Sequence, residues 1–414
     1  MVDSLCWCAL VLEIDALVVG GGIQGLVALR ELTRAGHSCA LVTNSDLGAG
    51  QTLHSHGLLN SGFGLMTGQL RQTLEGAALP FAREHGVPLY GDDQWFMLAP
   101  PPMLDQLRPA WSASGYAPEQ VEASALPSGF APLAPVFKVK GYNFPKRRLV
   151  AALSEGLLDR IVRGTVLRSE GHVRIQFSDS DESIEVTPKA IVVAAGCGSK
   201  RLLETVFQVS SPQLARVSFS KPHMICVRAP RAVLPSISAV VPPGLMIVGH
   251  PSQTGGSVGA DDGDVTWYVT PMDPTAQRAT DAPDDARAGV DRAVVAQALE
   301  GLLRFYPSIQ EKAGVRLAVY AGWKQDIDDQ PAVRLCEVVE GTSNIILALP
   351  SVLINAWPNA VDAVAIVRKL ANPSGATPLI PHGGRNVRVG QENELASGTQ
   401  WLDWNGFSRL YARD

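Results

Sequence analysis

Apolar and polar residues alternate with several different rhythms along this chain, and each rhythm predicts an element. Ile14 to Val19 is a short, nearly continuous apolar run, the pattern of a parallel strand buried on both faces. From Ile23 to Ala35 the apolar positions recur at helical spacing, with Ala28, Leu29, Leu32 and Ala35 on one stripe. Gly36 then stands where a helix ends, and Cys39 to Val42 predicts a second strand. Residues 1–13 read as a short extension leading into the first strand. Further on, Trp95 to Leu98 predicts a strand, after which prolines at 100 to 102, 109, 118, 127, 132 and 135 interrupt any period. Met224 to Val227, Leu245 to Val248 and Thr266 to Thr270 predict strands of an antiparallel sheet, separated by Pro-Gly, Thr-Gly-Gly and Asp-Asp-Gly turns. Val290 to Leu303 predicts a helix on the edge of that sheet. Residues 372–388 are rich in proline and glycine and read as a linker. Beyond them Trp401, Trp404, Phe407 and Tyr411 recur at helical spacing. That pattern predicts an aromatic C-terminal segment docked on its own protein or on a partner.

Composition narrows the function classes. With 414 residues, 46% of them apolar and 18% charged, the chain is long enough for a large, well-buried core. Its net charge of −5 offers no general attraction for nucleic acid or an anionic membrane. No apolar run has the length of a membrane span. Asp3 sits where a signal peptide carries positive charge, and no small-residue cleavage site follows. The six cysteines, at 6, 8, 39, 197, 226 and 336, form neither a disulfide framework nor a metal-ligand pattern. Reduced cysteines without an export signal predict a cytoplasmic protein and no metal.

Candidate chemistry begins between the first strand and the first helix. Gly20, Gly22 and Gly25 have the G-x-G-x-x-G spacing of a dinucleotide-binding turn. Gly20 permits the tight turn, Gly22 lets a pyrophosphate approach the backbone, and Gly25 lets the helix pack against the strand. Backbone N–H groups and the helix dipole at Ile23, Gln24 and Gly25 favour that anion. The second strand ends in Thr43-Asn44, where such motifs carry an acid for the ribose. A hydroxyl or carboxamide there makes a weaker contact than a carboxylate.

The residues from Leu47 to Gly62 are rich in glycine and small polar side chains and lack a period over much of their length. Such a loop suits a long prosthetic group that continues past the pyrophosphate. It resembles the second flavin-contacting segment of the D-amino-acid oxidase-like (DAO) FAD-dependent oxidoreductases, a family that includes glycine oxidase, sarcosine oxidase and L-2-hydroxyglutarate dehydrogenase. Three further stretches fit in order. Phe144 to Leu153 looks like the helix that re-enters the FAD domain. Ala190 to Ser199 looks like the strand and turn that return beside the cofactor. Tyr320 to Lys324 and Asn344 to Pro350 look like the last strands before a closing helix, Ala360 to Leu370.

The resemblance implies an α/β fold: a Rossmann-type FAD-binding domain (14–86, 144–215 and 316–372) interrupted by an antiparallel-sheet α+β substrate domain (87–143 and 216–315), then a linker and aromatic tail (373–414). It implies FAD contacts from Gly20, Gly22, Ile23, Gln24, Gly25, Thr43, Asn44, Gly50, Gln51, Thr52, His56, Gly57, Leu58, Ala195, Gly196, Gly322, Asn355, Ala356 and Trp357. It also implies an oxidoreductase that removes two electrons from a C–N or C–O bond of a small amino- or hydroxy-acid-like metabolite. The family carries arginine where Lys324 stands, and a glycine-containing turn where Asn355 to Asn359 stand.

No nucleophile elbow, zinc-protease helix, phosphate loop or kinase signature is present. The hard chemistry therefore falls to a cofactor. The candidates around it are Lys324, Tyr268 and His56 as catalytic groups, and Trp267, Trp357, Asn355 and Asn60 as substrate contacts. Trp267 and Tyr268 alternate across one strand, and Tyr268 is expected to face the cavity. His54 and His56 are each a candidate base or flavin attachment point, whereas His223 and His250 read as structural. The rival from another class is an inactive dinucleotide-binding scaffold or complex subunit.

Overall fold

The computed structural model describes residues 11–60, 68–91, 94–169, 172–242, 244–251, 263–272, 278–279, 287–328, 333–375, 383–391 and 400–411. Two large sheets organise them. In the first, Val11–Val19 runs parallel between Cys39–Thr43 and Ser183–Val193, and Ser183–Val193 runs parallel to Ile345–Pro350. Ile161–Ser169 continues the parallel set beside Cys39–Thr43, then turns through His172–Phe177 into Ser183–Val193 as an antiparallel meander. Residues 178–182 form the polar tip of its last turn. The first strand starts at Val11, earlier than the apolar run predicts, because its register with the long Ser183–Val193 strand continues to Val11 opposite Glu185.

Helices cover one face of this sheet. Ile23–Arg34 buries Ala28, Leu29 and Leu32 as its apolar stripe predicts, and ends before Gly36, whose φ of +83° is open to glycine at little cost. Lys146–Ser154 and Ala356–Leu370 pack beside it in one apolar cluster. A second cluster lies on the opposite face, under the meander.

The other sheet has ten strands among the described residues. At its centre Asp264–Pro271 lies antiparallel between His223–Pro230 and Leu245–Pro251. Trp95–Leu98 joins through Ser238–Val241. Arg316–Gly322 belongs to this sheet, paired with His223–Pro230, and Leu402–Asp403 pairs in turn with Arg316 and Leu317. The Arg292–Phe305 helix closes one face, and Phe407 from the C-terminal Trp404–Tyr411 helix is buried in the same cluster. Among the described residues no helix is long and apolar enough to cross a membrane.

Three local expectations change. The proline-rich stretch after Leu98 contains a helix, Pro101–Ala113, with prolines in its first turn where a missing N–H costs nothing. The loop after Leu47 contains a short helix, Gln51–His54, and a strand, Leu58–Asn60, paired with Gly141–Asn143. The end of the linker and the residues just after it, 383–391, lie against the parallel sheet, with Val389 bridged to Leu47. Cys6 and Cys8 lie outside the described residues.

Candidate active site

The glycine turn follows the carboxyl end of the first parallel strand. Gly20 has φ +123°, and a Cβ there would fall 2.4 Å from the Ala194 carbonyl oxygen. A Cβ on Gly25 would fall 1.8 Å from the Gly20 carbonyl oxygen, so helix and strand touch backbone to backbone. Gly21, which the motif leaves unspecified, is also tight: its Cβ would fall 2.6 Å from Thr43 Oγ1. Gly22 differs. It caps the helix with extended backbone and no side-chain hydrogen bond, and a Cβ there would meet only Thr52 Oγ1 at 3.4 Å. Gly50 and Gly196 meet nothing within 4 Å. The glycines that lock the turn are therefore distinct from those whose faces stay open.

The loop after the second strand is tied to that turn. Gly48 N–H donates to the Gly21 carbonyl at 2.8 Å, and Ile23 N–H donates to Thr52 Oγ1 at 3.0 Å. Thr43 is buried, and its hydroxyl donates to the Ser45 carbonyl at 3.0 Å, inside its own turn, while Asn44 is exposed. Gln51 Oε1 accepts from Gln325 N–H at 3.4 Å, linking the loop to the strand that carries Lys324. Gln24 Nε2 reaches the Ala356 carbonyl at 3.5 Å, and Asn359 Nδ2 donates to Gln24 Oε1 at 3.1 Å, joining the first helix to the start of the last.

The antiparallel sheet contributes to a cluster of polar rings and amines. Strand alternation decides its membership. Val265, Trp267 and Val269 point into the apolar cluster beneath the Arg292–Phe305 helix, whereas Tyr268 points the other way. Trp267 is fully buried, with its indole N–H on the Pro235 carbonyl at 2.8 Å, so it is removed from the substrate contacts. Tyr268 meets His250 edge to face at 5.1 Å, and Lys146 Nζ lies 4.2 Å from its ring centroid. His250 Nε2 donates to the His56 carbonyl at 2.7 Å. The Tyr320 hydroxyl donates to the His54 carbonyl at 3.1 Å, and Gly322 lies directly against the His54 ring.

The electrostatics single out His56. Burial, then the positive charges of Lys146, His250 and Lys324, push its pKa down to about 3, and its Nδ1 has no hydrogen-bond partner among the described residues. The imidazole of His56 is therefore neutral at neutral pH, with Nδ1 left open among the described residues. Lys324 donates to Asp326 Oδ1 at 2.5 Å, and Ser220 holds the other oxygen of Asp326 at 2.7 Å, so its charge is partly met. Lys146 is almost fully buried. Burial first, then Asp326, pushes Cys197 up to about 12, which leaves a neutral thiol and no nucleophile.

The sequence candidates therefore divide. Tyr268 is linked to His56 through the His250 ring, and Lys324 lies within electrostatic range of His56. Trp357 does not join them: it is buried in the helix-side core, 6.3 Å from the Phe81 ring. Asn355 is buried at the start of the Ala356–Leu370 helix. Asn60 ends the Leu58–Asn60 strand, and its side chain lies outside the described residues. Lys146, His250 and Tyr320 were missed. A signal for Lys146 existed: it shares the helical stripe of Leu149, Val150 and Leu153. His250 shares the strand face of Val248, which sits opposite Tyr268.

Comparison with known proteins gives the same frame. The sequence profile described as "DAO: FAD dependent oxidoreductase" matches residues 15–349. A probable FAD-dependent oxidoreductase of Pseudomonas aeruginosa is 25% identical over 283 residues, 62% of this chain and 68% of that protein. The crystal structure of an FAD-dependent oxidoreductase from the same organism superposes with a TM-score of 0.65 at 19% identity, covering 92% of this chain and 97% of the other. Glycine oxidase from Geobacillus kaustophilus superposes at 0.63 and 18% identity, covering 86% and 95%. L-alpha-glycerophosphate oxidase from Mycoplasma pneumoniae, with FAD bound, superposes at 0.64 and 13% identity, covering 86% and 95%.

Proposed function

The chain belongs to the DAO family of FAD-dependent oxidoreductases, and on that premise we propose that its substrate is a small amino- or hydroxy-acid-like metabolite gripped by its negative group while a C–N or C–O bond is oxidised. The protein is an enzyme and FAD is its cofactor. The glycine turn fits that group. Gly22, Gly50 and Gly196 present faces where an added Cβ would meet no backbone, and Gly20 and Gly25 close the turn behind them. The Gly20–Gly25 turn, the Gly48–Thr52 loop, Ala195–Gly196 and Gly322 would hold the cofactor.

When bound, FAD supplies the acceptor for two electrons and one hydrogen. The remaining work falls to the chain. Lys146, supported by Lys324 and the edge of Tyr268, holds the carboxylate or phosphate and thereby orients the carbon to be oxidised. His56 takes the proton from the neighbouring amine or hydroxyl through its unused Nδ1. Its pKa of about 3 belongs to the site before substrate arrives. An anion placed among Lys146, Lys324 and His250 cancels part of the field that disfavours the imidazolium, so binding itself raises the basicity of His56.

The observation that carries this reading is the placement of Lys146 and Lys324 near a buried neutral imidazole, His56, whose Nδ1 has no hydrogen-bond partner among the described residues. Two relatives in fold are named for substrates that carry a negative group, the carboxylate of glycine and the phosphate of glycerophosphate. The test is anaerobic reduction of the purified holoenzyme with matched pairs: amino acids, N-alkyl amino acids, 2-hydroxy acids and glycerol phosphate, each against the amide or alcohol that lacks its negative group. Bleaching of the flavin band by at least one anion, and much faster than by its neutral partner, is expected. Equal rates within the pairs would remove the anion site.

A further inference from the structure

We propose that residues 383–391 complete the FAD site, acting as a strap that fixes the Ser45–Thr52 loop where an acid at position 43 would otherwise clasp the ribose. This goes beyond the substrate reading and stands without it. The strap is stitched to the sheet along its length. Gly384 N–H donates to the Ile161 carbonyl at 2.9 Å, and Asn386 Nδ2 donates to Asp179 Oδ2 at 2.7 Å. Arg163 reaches Asp46 at 2.9 Å and the Asn386 carbonyl at 3.5 Å, tying loop and strap to one guanidinium. Leu47 N–H donates to the Arg388 carbonyl at 2.7 Å, and Gly390 N–H donates back to the Leu47 carbonyl at 2.8 Å. Leu47 and Val389 thus pair as in a parallel ladder. Val387 and Val389 pack on the helix-side core.

The next residue along the loop makes the connection to the cofactor. Gly48 N–H donates to the Gly21 carbonyl, and Gly21 is the residue pressed against Thr43. Four residues on, Thr52 Oγ1 accepts from Ile23 N–H at the helix start. The strap therefore bears on both sides of the glycine turn, chiefly through its two backbone bonds to Leu47. Close approach is required: a Cβ on Gly390 would lie 3.0 Å from Leu53 Cδ1 and 3.3 Å from Ala49 Cα. The Thr43 hydroxyl donates its one hydrogen to the Ser45 carbonyl and brings no charge to the place of the family's acid. Backbone ladder bonds from the chain's own C-terminal segment supply the missing order instead. Between strap and meander lies a polar hollow of about 260 Å³, lined by Arg163, Ser178, Asp179, Asn386 and Arg388.

The experiment uses the full-length chain, with Gly390→Val to wedge the strap from Ala49 and Leu53, and Asn386→Ala as a milder second variant. FAD affinity of the apoprotein is measured by flavin fluorescence quenching, and amide hydrogen exchange is followed with and without FAD. Loss of one or two ladder bonds predicts a dissociation constant raised about tenfold. FAD should also slow exchange at Leu47, Val389 and Gly390 in the parent. A rise of about threefold or more in either folded variant, together with that protection, supports the strap. A smaller change in both variants overturns it, as does exchange at the three amides indifferent to FAD. If Gly390→Val fails to fold, Asn386→Ala and the parent's exchange pattern decide alone.

Discussion

Lys146 occupies the apolar stripe of its helix and is almost fully buried, with its amine over the ring of Tyr268. On the proposed reading, the amine of Lys146 contributes one charged contact to the substrate's negative group. Lys146→Met keeps the stem and removes the charge. It should raise KM for the anionic substrate about 10- to 100-fold, the worth of one charged hydrogen bond, with a smaller change in kcat. Steady-state kinetics checks this, and an unchanged KM would release Lys146 from the site. The same substitution has an electrostatic signature. Lys146 is, after burial, the first contributor depressing His56. Removing it should raise the His56 pKa from about 3 towards the ordinary 6.5, visible by NMR titration of the imidazole. The sequence showed His56 and Tyr268 as candidates because each sits in a motif or a strand with two distinguishable faces. It hid Lys146, whose helix was assigned by resemblance rather than by asking why a lysine falls on the buried stripe. It also presented Trp267 and Trp357 as site residues because an indole's size marks it without saying which way it points; both lie in cores.

Elements were legible where one periodicity runs unbroken, and misread where a residue type has two meanings. The first strand–turn–helix–strand unit follows its apolar pattern to within a few residues. Pro100 to Pro102 were taken as breaks, although proline also starts helices, and here it starts Pro101–Ala113. Glycine has the same ambiguity, and the structure separates its two uses. At Gly25 a methyl group would collide with the Gly20 carbonyl, so Gly25→Ala should open the turn, lower the melting temperature of the apoprotein and abolish FAD binding. At Gly22 the methyl group meets only Thr52 Oγ1. Gly22→Ala should therefore leave the apoprotein's melting temperature near the parent's and weaken FAD affinity alone, since the obstructed face is the one a pyrophosphate approaches. Circular dichroism melts beside flavin titrations distinguish the two, and equal losses of stability would erase the distinction. Away from the site, Asp291 caps the Arg292–Phe305 helix through Ala293 and Val294 N–H groups. Asp291→Ala should cost about 1 kcal/mol in a denaturant titration.

The molecule as a whole carries several ionisable groups whose burial sets its response to acid. His37, His56 and His223 are all depressed below 6.5, with burial the first cause in each. Below pH 6.5 the unfolded chain therefore binds protons that the folded chain refuses, and stability falls as pH falls, by up to about 1.4 kcal/mol per pH unit for each such group. Asp15 acts in a lower window. Burial raises its pKa, but Lys189 and the backbone N–H groups of Ser38 and Ser374 more than reverse that, and the net shift is downward. Its contribution is present above about pH 4 and lost below. Acid sensitivity between pH 6.5 and 5 thus belongs to the histidines. His37 is the cleanest to test, because it is 1% exposed, neither ring nitrogen has a hydrogen-bond partner among the described residues, and it lies far along the first strand from the glycine turn, beside Asp15 at 3.8 Å. Replacing it with an apolar side chain of similar size removes a desolvated polar ring rather than a bond. His37→Leu should melt near the parent's temperature at pH 7.5 and lose less on acidification to pH 5, where the parent alone must charge a buried imidazole or unfold to do so. Calorimetric melts at the two pH values decide the matter: parallel curves for parent and variant would mean that His37 takes its proton in the folded state without cost, against the direction that its burial sets.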